Sequence, residues 1–216
     1  MSGLVGVLGG TFDPVHAGHL ALASAAMNRL GLERVHFLVA PLPPHKEGRV
    51  RTSPAHRFAM VALATADRPE FVPDPLDLEV AGPCYTVDSL PRFRSAHKLP
   101  PDGAVFLAGG DSLRDFHLWK DGQTLAERER FAFFVRKGVE VPPEGLTLPG
   151  GRAVLDLRGA SSADLPRSGA CLLDADLPEV SSTALRNMLQ CGVAAPPGLP
   201  GAVMRYIQKT RVYTNR

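Results

Sequence analysis

Cysteine is scarce: Cys84, Cys171 and Cys191 are odd in number and scattered. That excludes a disulfide framework and fits reduced thiols in a cytoplasmic protein. Charge of one sign is also lacking, since 24 Lys and Arg face 22 Asp and Glu for a net charge of +2. A broad nucleic-acid-binding surface is therefore not expected, and any basic patch must be local. No apolar run approaches membrane-spanning length, and the first residues lack the charged flank, apolar region and cleavage site of a signal peptide. Internal repeats and low-complexity tracts are absent. Two nucleotide signatures are missing as well. No Gly-Lys-Ser/Thr follows the first glycine turn, which excludes a P-loop, and no third glycine completes a dinucleotide fingerprint.

Glycine (21) and proline (20), by contrast, are plentiful and sit mostly between apolar runs. The 216 residues suffice for one domain over 1–216 with a substantial core. Buried-strand candidates are Leu4–Leu8, Val35–Ala40, Ala104–Ala108, Phe131–Val135 and Cys171–Leu173, with a shorter strand near Phe71–Val80. Helical patterns cover Leu20–Leu30, Pro54 to about Asp67 behind a Ser53 N-cap, Ser181 to Gly192, and roughly Ala202–Lys209. Another helix opens near Tyr85; starting it at Asp88 would put Pro91 in its first turn, where the missing N–H costs nothing. Lys137–Ala170 reads as loops around a strand at Ala153–Leu157. This alternation predicts an α/β fold: a doubly wound, mostly parallel Rossmann-like sheet with helices on both faces. Ligands of such sheets bind at the carboxyl ends of the strands, near the switch point.

Two strand ends carry the relevant signals. After the first strand comes Gly9-Gly10-Thr11-Phe12-Asp13-Pro14-Val15-His16-Ala17-Gly18-His19; after a later one, Gly109-Gly110-Asp111-Ser112. A glycine turn leading into a helix offers backbone N–H groups and the positive end of the helix dipole to a phosphate. His16 and His19, three apart, share a helix face and invite a metal reading. No Glu follows His16 and no third ligand stands nearby, so no protein metal site is read here. Ser181-Ser182-Thr183 with Arg186 combines N-terminal N–H groups, hydroxyls and a guanidinium into a second anion site. Between these lie a proline-rich basic loop with His45 and Lys46, the Tyr85-Thr86-Val87-Asp88 helix start, and the single tryptophan, Trp119, followed by Lys120.

Taken in order, Gly9–His19, Pro43-Pro44-His45-Lys46, Tyr85-Thr86, Gly110-Asp111-Ser112-Leu113 with Trp119, and Ser181-Ser182-Thr183-x-x-Arg186 span nearly the whole chain. They resemble the nucleotidyltransferase superfamily with a His-x-Gly-His motif and, within it, the bacterial nicotinate-nucleotide adenylyltransferases. The resemblance implies transfer of AMP from ATP to nicotinate mononucleotide, with Mg²⁺, giving nicotinate adenine dinucleotide and pyrophosphate. It implies catalytic His16 and His19, and an ATP site of Gly9, Gly10, Thr11, Phe12, His16, His19, Gly109, Asp111, Ser182, Thr183 and Arg186, completed by the helices from about residue 181. It further implies a nicotinate mononucleotide site of His45, Lys46, Thr86, Val87, Trp119 and Lys120, with Trp119 stacked on the pyridine ring. Arg136 matches the first basic residue of an arginine-rich family turn, although the usual following proline is absent.

Other readings are weaker. Gly110-Asp111-Ser112-Leu113 also resembles the nucleophile block of a lipase-like hydrolase, but those enzymes supply a late histidine and the last one here is His117. Cys84 lacks the setting of a nucleophile. A sister enzyme acting on another phosphorylated acceptor, such as phosphopantetheine, and a non-catalytic nucleotide-binding protein remain as alternatives. Oligomeric state is not legible.

Overall fold

The computed structural model describes residues 3–42, 52–141, 146–160 and 165–213. In chain order the elements are β1 (Val5–Gly10), α1 (Ala17–Leu30), β2 (Arg34–Val39), α2 (Pro54–Thr65), β3 (Phe71–Asp74), α3 (Thr86–Ala96), β4 (Ala104–Gly109), α4 (Gly110–Arg114), α5 (Gly122–Arg128) and β5 (Arg130–Arg136). Then follow β6 (Thr147–Leu148), β7 (Arg152–Ala153), β8 (Leu155–Asp156), β9 (Gly169–Ala175), α6 (Ser182–Gln190) and α7 (Gly201–Thr210). The main sheet has seven strands in the order β3-β2-β1-β4-β5-β9-β8, and every neighbouring pair is parallel. The order reverses between β1 and β4, so the doubly wound expectation holds and the switch point lies where both glycine pairs end their strands.

Strand periodicity explains the layers. Val35, Phe37 and Val39 of β2 enter one core with α1, α2, α6 and α7, which includes Ala23, Met60, Leu189 and Ile207. Leu38, with Val5 and Val7 of β1 and Phe106 of β4, enters the other, built with Phe93 of α3, Leu113 of α4 and Leu125 of α5. Successive residues point to opposite faces, so strands that are apolar throughout require cover on both sides.

Three local expectations change. First, β1 runs through Gly10, so Gly9 and Gly10 lie in the ladder opposite Leu38 and Val39 and do not form the turn. Glycine is required there for space: a Cβ on Gly9 would come within 2.6 Å of the Phe106 ring, and one on Gly10 within 2.8 Å of Phe12. Second, of the two starts the sequence left open, the one near Tyr85 holds and the alternative at Asp88 does not: α3 starts at Thr86 with Pro91 inside it. The helix forgoes the bond Pro91 would give the Val87 carbonyl and keeps its first turn, Asp88 and Ser89 both donating to the Tyr85 carbonyl. Third, the strand expected at Ala153–Leu157 divides at buried Val154. β7 pairs with β6 in a small antiparallel sheet, whereas β8 adds to the edge of the main sheet against β9.

Candidate active site

The turn after β1 is built over a buried ring. Phe12 takes a left-handed backbone with φ of 50°, costly for a bulky residue. Its ring is buried and meets His19 edge-on at 4.9 Å and Phe37 at 5.8 Å. His16 is the extended N-cap of α1, and its ring stacks on His19 with centroids 3.8 Å apart. The backbone N–H of His16 donates to His19 Nδ1 at 3.2 Å. A ring whose Nδ1 accepts holds its proton on Nε2, so His19 has its donor on the nitrogen away from its own backbone. Burial pushes the His16 pKa down to about 4, which keeps this ring neutral, and its Nδ1 is buried without a hydrogen-bond partner among the described residues. Gly18 makes the stack possible, since a Cβ there would lie 3.0 Å from His16 Nδ1. The spacing that admitted a metal reading thus serves a ring stack with one tautomer fixed.

A buried polar network that sequence reasoning missed fastens this turn. Arg57 of α2 is fully buried and donates to the carbonyls of Thr11, Ala40 and Pro41, each at 2.7 Å, and to that of Thr52 at 3.2 Å. It ties the loop after β1 to the loop after β2. Asp13, also buried, accepts from the Tyr213 hydroxyl at 2.6 Å. A single arginine in an apolar helix and a tyrosine 200 positions from its partner carry no local signal.

The segment from residue 181 closes on the same turn. Ser181 caps α6 by accepting from the Ala184 N–H at 3.2 Å. Ser182 Oγ donates to the Pro14 carbonyl at 2.9 Å, and Arg186 donates to the Asp13 carbonyl at 2.7 Å and to Thr183 Oγ1 at 3.1 Å. Ser182, Thr183 and Arg186 are therefore beside the histidine turn, engaged in fastening it. The Ala17 N–H, expected to face a ligand as part of the helix start, donates instead to the Gly198 carbonyl at 2.8 Å. Across the switch point, a Cβ on Gly109 would meet nothing within 4 Å, while Asp111 in the first turn of α4 is exposed and pairs with Arg114 at 2.6 Å. Arg136, at the end of β5, pairs with Glu179 at 3.2 Å.

On the other side of the switch point, Trp119 stacks on Phe116 at 5.0 Å and meets Phe106 edge-on at 5.7 Å. Its backbone N–H is taken by the Phe116 carbonyl at 3.0 Å. Lys120 reaches α3, with Nζ 3.0 Å from Asp88 and 4.7 Å above the Tyr85 ring. The hydrogen bond to Asp88 raises the Lys120 pKa. Its charge is therefore matched within the chain, which weakens the expectation that it meets a substrate carboxylate. Thr86 and Val87 are the first two residues of α3, positions whose N–H groups precede the first acceptor of a helix. His45 and Lys46 lie outside the described residues.

The cytidylyltransferase-like family description matches residues 7–188. A protein of Thermus thermophilus named as a probable nicotinate-nucleotide adenylyltransferase is 38% identical over 211 residues, covering 97% of this chain and 98% of that protein. One of the same description from Symbiobacterium thermophilum is 36% identical over 209 residues, covering 97% and 94%. The chain belongs to the nicotinate-nucleotide adenylyltransferase family. The same fold is found in the Plasmodium falciparum nicotinic acid mononucleotide adenylyltransferase complexed with NaAD, with a TM-score of 0.72 at 16% identity over 98% of this chain and 97% of that one. The His16-Ala17-Gly18-His19 stretch is, in this structure, the stacked pair at the switch point.

Proposed function

We propose that the protein transfers AMP from ATP to nicotinate mononucleotide, giving nicotinate adenine dinucleotide and pyrophosphate in NAD biosynthesis. The observation that carries this reading, beside family membership, is the His16–His19 stack with a fixed tautomer at the switch point. In the reaction a phosphate oxygen of the mononucleotide bonds to the α-phosphorus of ATP, and the bond from that phosphorus to the bridging oxygen of pyrophosphate breaks. Both partners are anionic, so the main need is fixed donors where charge gathers.

His19 donates from Nε2 to the ATP phosphates, and neutral His16 supports that ring and offers a second donor. Gly9, Gly10, Thr11 and Phe12 shape the floor of the ATP site, Gly109 leaves room above the sheet edge, and Asp111 accepts from a ribose hydroxyl. Ser182, Thr183 and Arg186 complete the site, so the C-terminal helices belong to one nucleotidyltransferase domain over 1–216. Thr86 and Val87 offer N–H groups to the nicotinate carboxylate, Trp119 stacks on the pyridine, and Lys120 holds the two segments together. His45 and Lys46 bind the mononucleotide phosphate. Mg²⁺ suits a site in which Asp13 is buried and engaged while Asp111 is exposed. Phosphate oxygens and water would supply most of its ligands, and it would neutralise charge on the nucleotide.

Pyrophosphate release from ATP, measured with nicotinate mononucleotide, its amide form and phosphopantetheine, tests the proposal. The acid is expected to be the best acceptor. Turnover with phosphopantetheine and none with nicotinate mononucleotide would overturn the assignment, and equal efficiency on acid and amide would remove the carboxylate-reading role of Thr86 and Val87.

A further inference from the structure

On the face of the sheet away from α1, β2, β3 and the C-terminal end of α3 bring together three side chains unused by the proposed chemistry. His36 Nδ1 and His97 Nε2 each lie 2.8 Å from the same carboxylate oxygen, Asp74 Oδ2. The imidazole centroids are 4.6 Å apart, and Phe93 closes the cluster, 5.0 Å from His36 and 4.4 Å from His97. His36 and Asp74 are buried, whereas the His97 side chain is 34% exposed and opens the cluster to solvent. The second carboxylate oxygen accepts from the Leu76 N–H at 3.0 Å, which fixes the orientation of the group.

We propose that His36, Asp74 and His97 form a site for one divalent transition-metal ion of the zinc class, with water from the His97 side as the remaining ligand. The three ligand atoms lie within 4.8 Å of one another and come from separate elements. Two imidazoles and one carboxylate suit zinc or cobalt far better than magnesium or calcium, which prefer all-oxygen sites. Burial alone would raise the Asp74 pKa. The hydrogen bonds from His36 and the Leu76 N–H work against it, and the carboxyl lies below its ordinary value. Without metal, both rings donate N–H to Asp74. On binding, the ring nitrogens that face Asp74 give up their protons, to the other ring nitrogen or to solvent, and present lone pairs. The ion would clip the C-terminal end of α3 to β2 and β3, and α3 carries Thr86 and Val87 at its other end.

The test is titration of the chelator-treated full chain with Co²⁺, read by visible absorption, and with Zn²⁺, read by thermal midpoint. One equivalent of Co²⁺ with low-coordinate d–d bands and a raised midpoint with Zn²⁺ are expected. His97→Ala, at an exposed position, should weaken binding by more than about 10-fold, the lower end of what loss of even an outer-sphere partner costs; Asp74→Asn should do the same. His19→Ala should bind as wild type. Absence of stoichiometric binding, retention of the bands in His97→Ala, their loss in His19→Ala, or a thiolate charge-transfer band would each overturn the site.

Discussion

His19 illustrates how one hydrogen bond sets a residue's chemistry. Because the His16 N–H occupies Nδ1, the ring proton has one location, and replacing the ring removes that donor. His19→Ala is expected to lower turnover by about 10²–10³-fold, as loss of a preorganised donor does, with the fold retained by circular dichroism. Near-normal turnover would count against the role. His16 makes a different prediction, about stability. Its folded pKa of about 4 lies below the unfolded value of 6.5, so the unfolded chain takes up the proton first as pH falls. The stability His16 contributes is full above about pH 6.5 and drains as pH drops toward 4; between pH 7 and pH 5 about 2 kcal/mol is lost. Urea unfolding at the two pH values should show this loss in the wild type and not in His16→Asn. The type and spacing of these histidines were legible in the sequence. Their stacking was not, because it depends on Gly18 leaving space and on Phe12 filling the floor beneath.

At the scale of elements, the strands were readable because parallel strands buried on both faces are apolar throughout. The short helices α4 and α5 were not: α4 has five residues and α5 seven, too few to display a helical period, and α5 follows Asp121 in a left-handed conformation. The strand read at Ala153–Leu157 covers β8, but its division from β7 was obscured because each piece is only two residues long. In α3, Pro91 left two starts open in the sequence, and the one near Tyr85 holds because one forgone bond, on an exposed residue, costs less than losing the first turn. Restoring that bond should therefore stabilise the protein. Pro91→Ala is expected to add about 1–2 kcal/mol, the regained helix bond being partly offset by a more flexible unfolded chain. Chemical denaturation would read the gain, and a loss would mean that the proline ring packs where its N–H was thought to matter.

At the scale of the whole molecule, the histidine turn is held by parts distant in sequence: Arg57 from α2, Arg186 from α6 and Tyr213 after α7. α7 also meets α2 directly, His56 Nδ1 lying 2.8 Å from the Tyr206 hydroxyl. Tyr213→Phe removes one buried bond to a carboxylate and is expected to cost about 1.5–3 kcal/mol in urea unfolding, with KM for ATP rising more than kcat falls. An unchanged KM would mean that the turn holds its shape without this tether. These long-range bonds were invisible in the sequence because each partner, taken alone, is an ordinary polar residue. Their arrangement has a consequence during biosynthesis. Tyr213 is translated 200 positions after Asp13, roughly 10–40 s later at ordinary ribosomal speed. A nascent chain can form β1 and α1 early, yet its histidine turn lacks the Tyr213 fastening until that residue has emerged from the ribosome. Incomplete translation products would then carry the histidine turn without its Tyr213 tether.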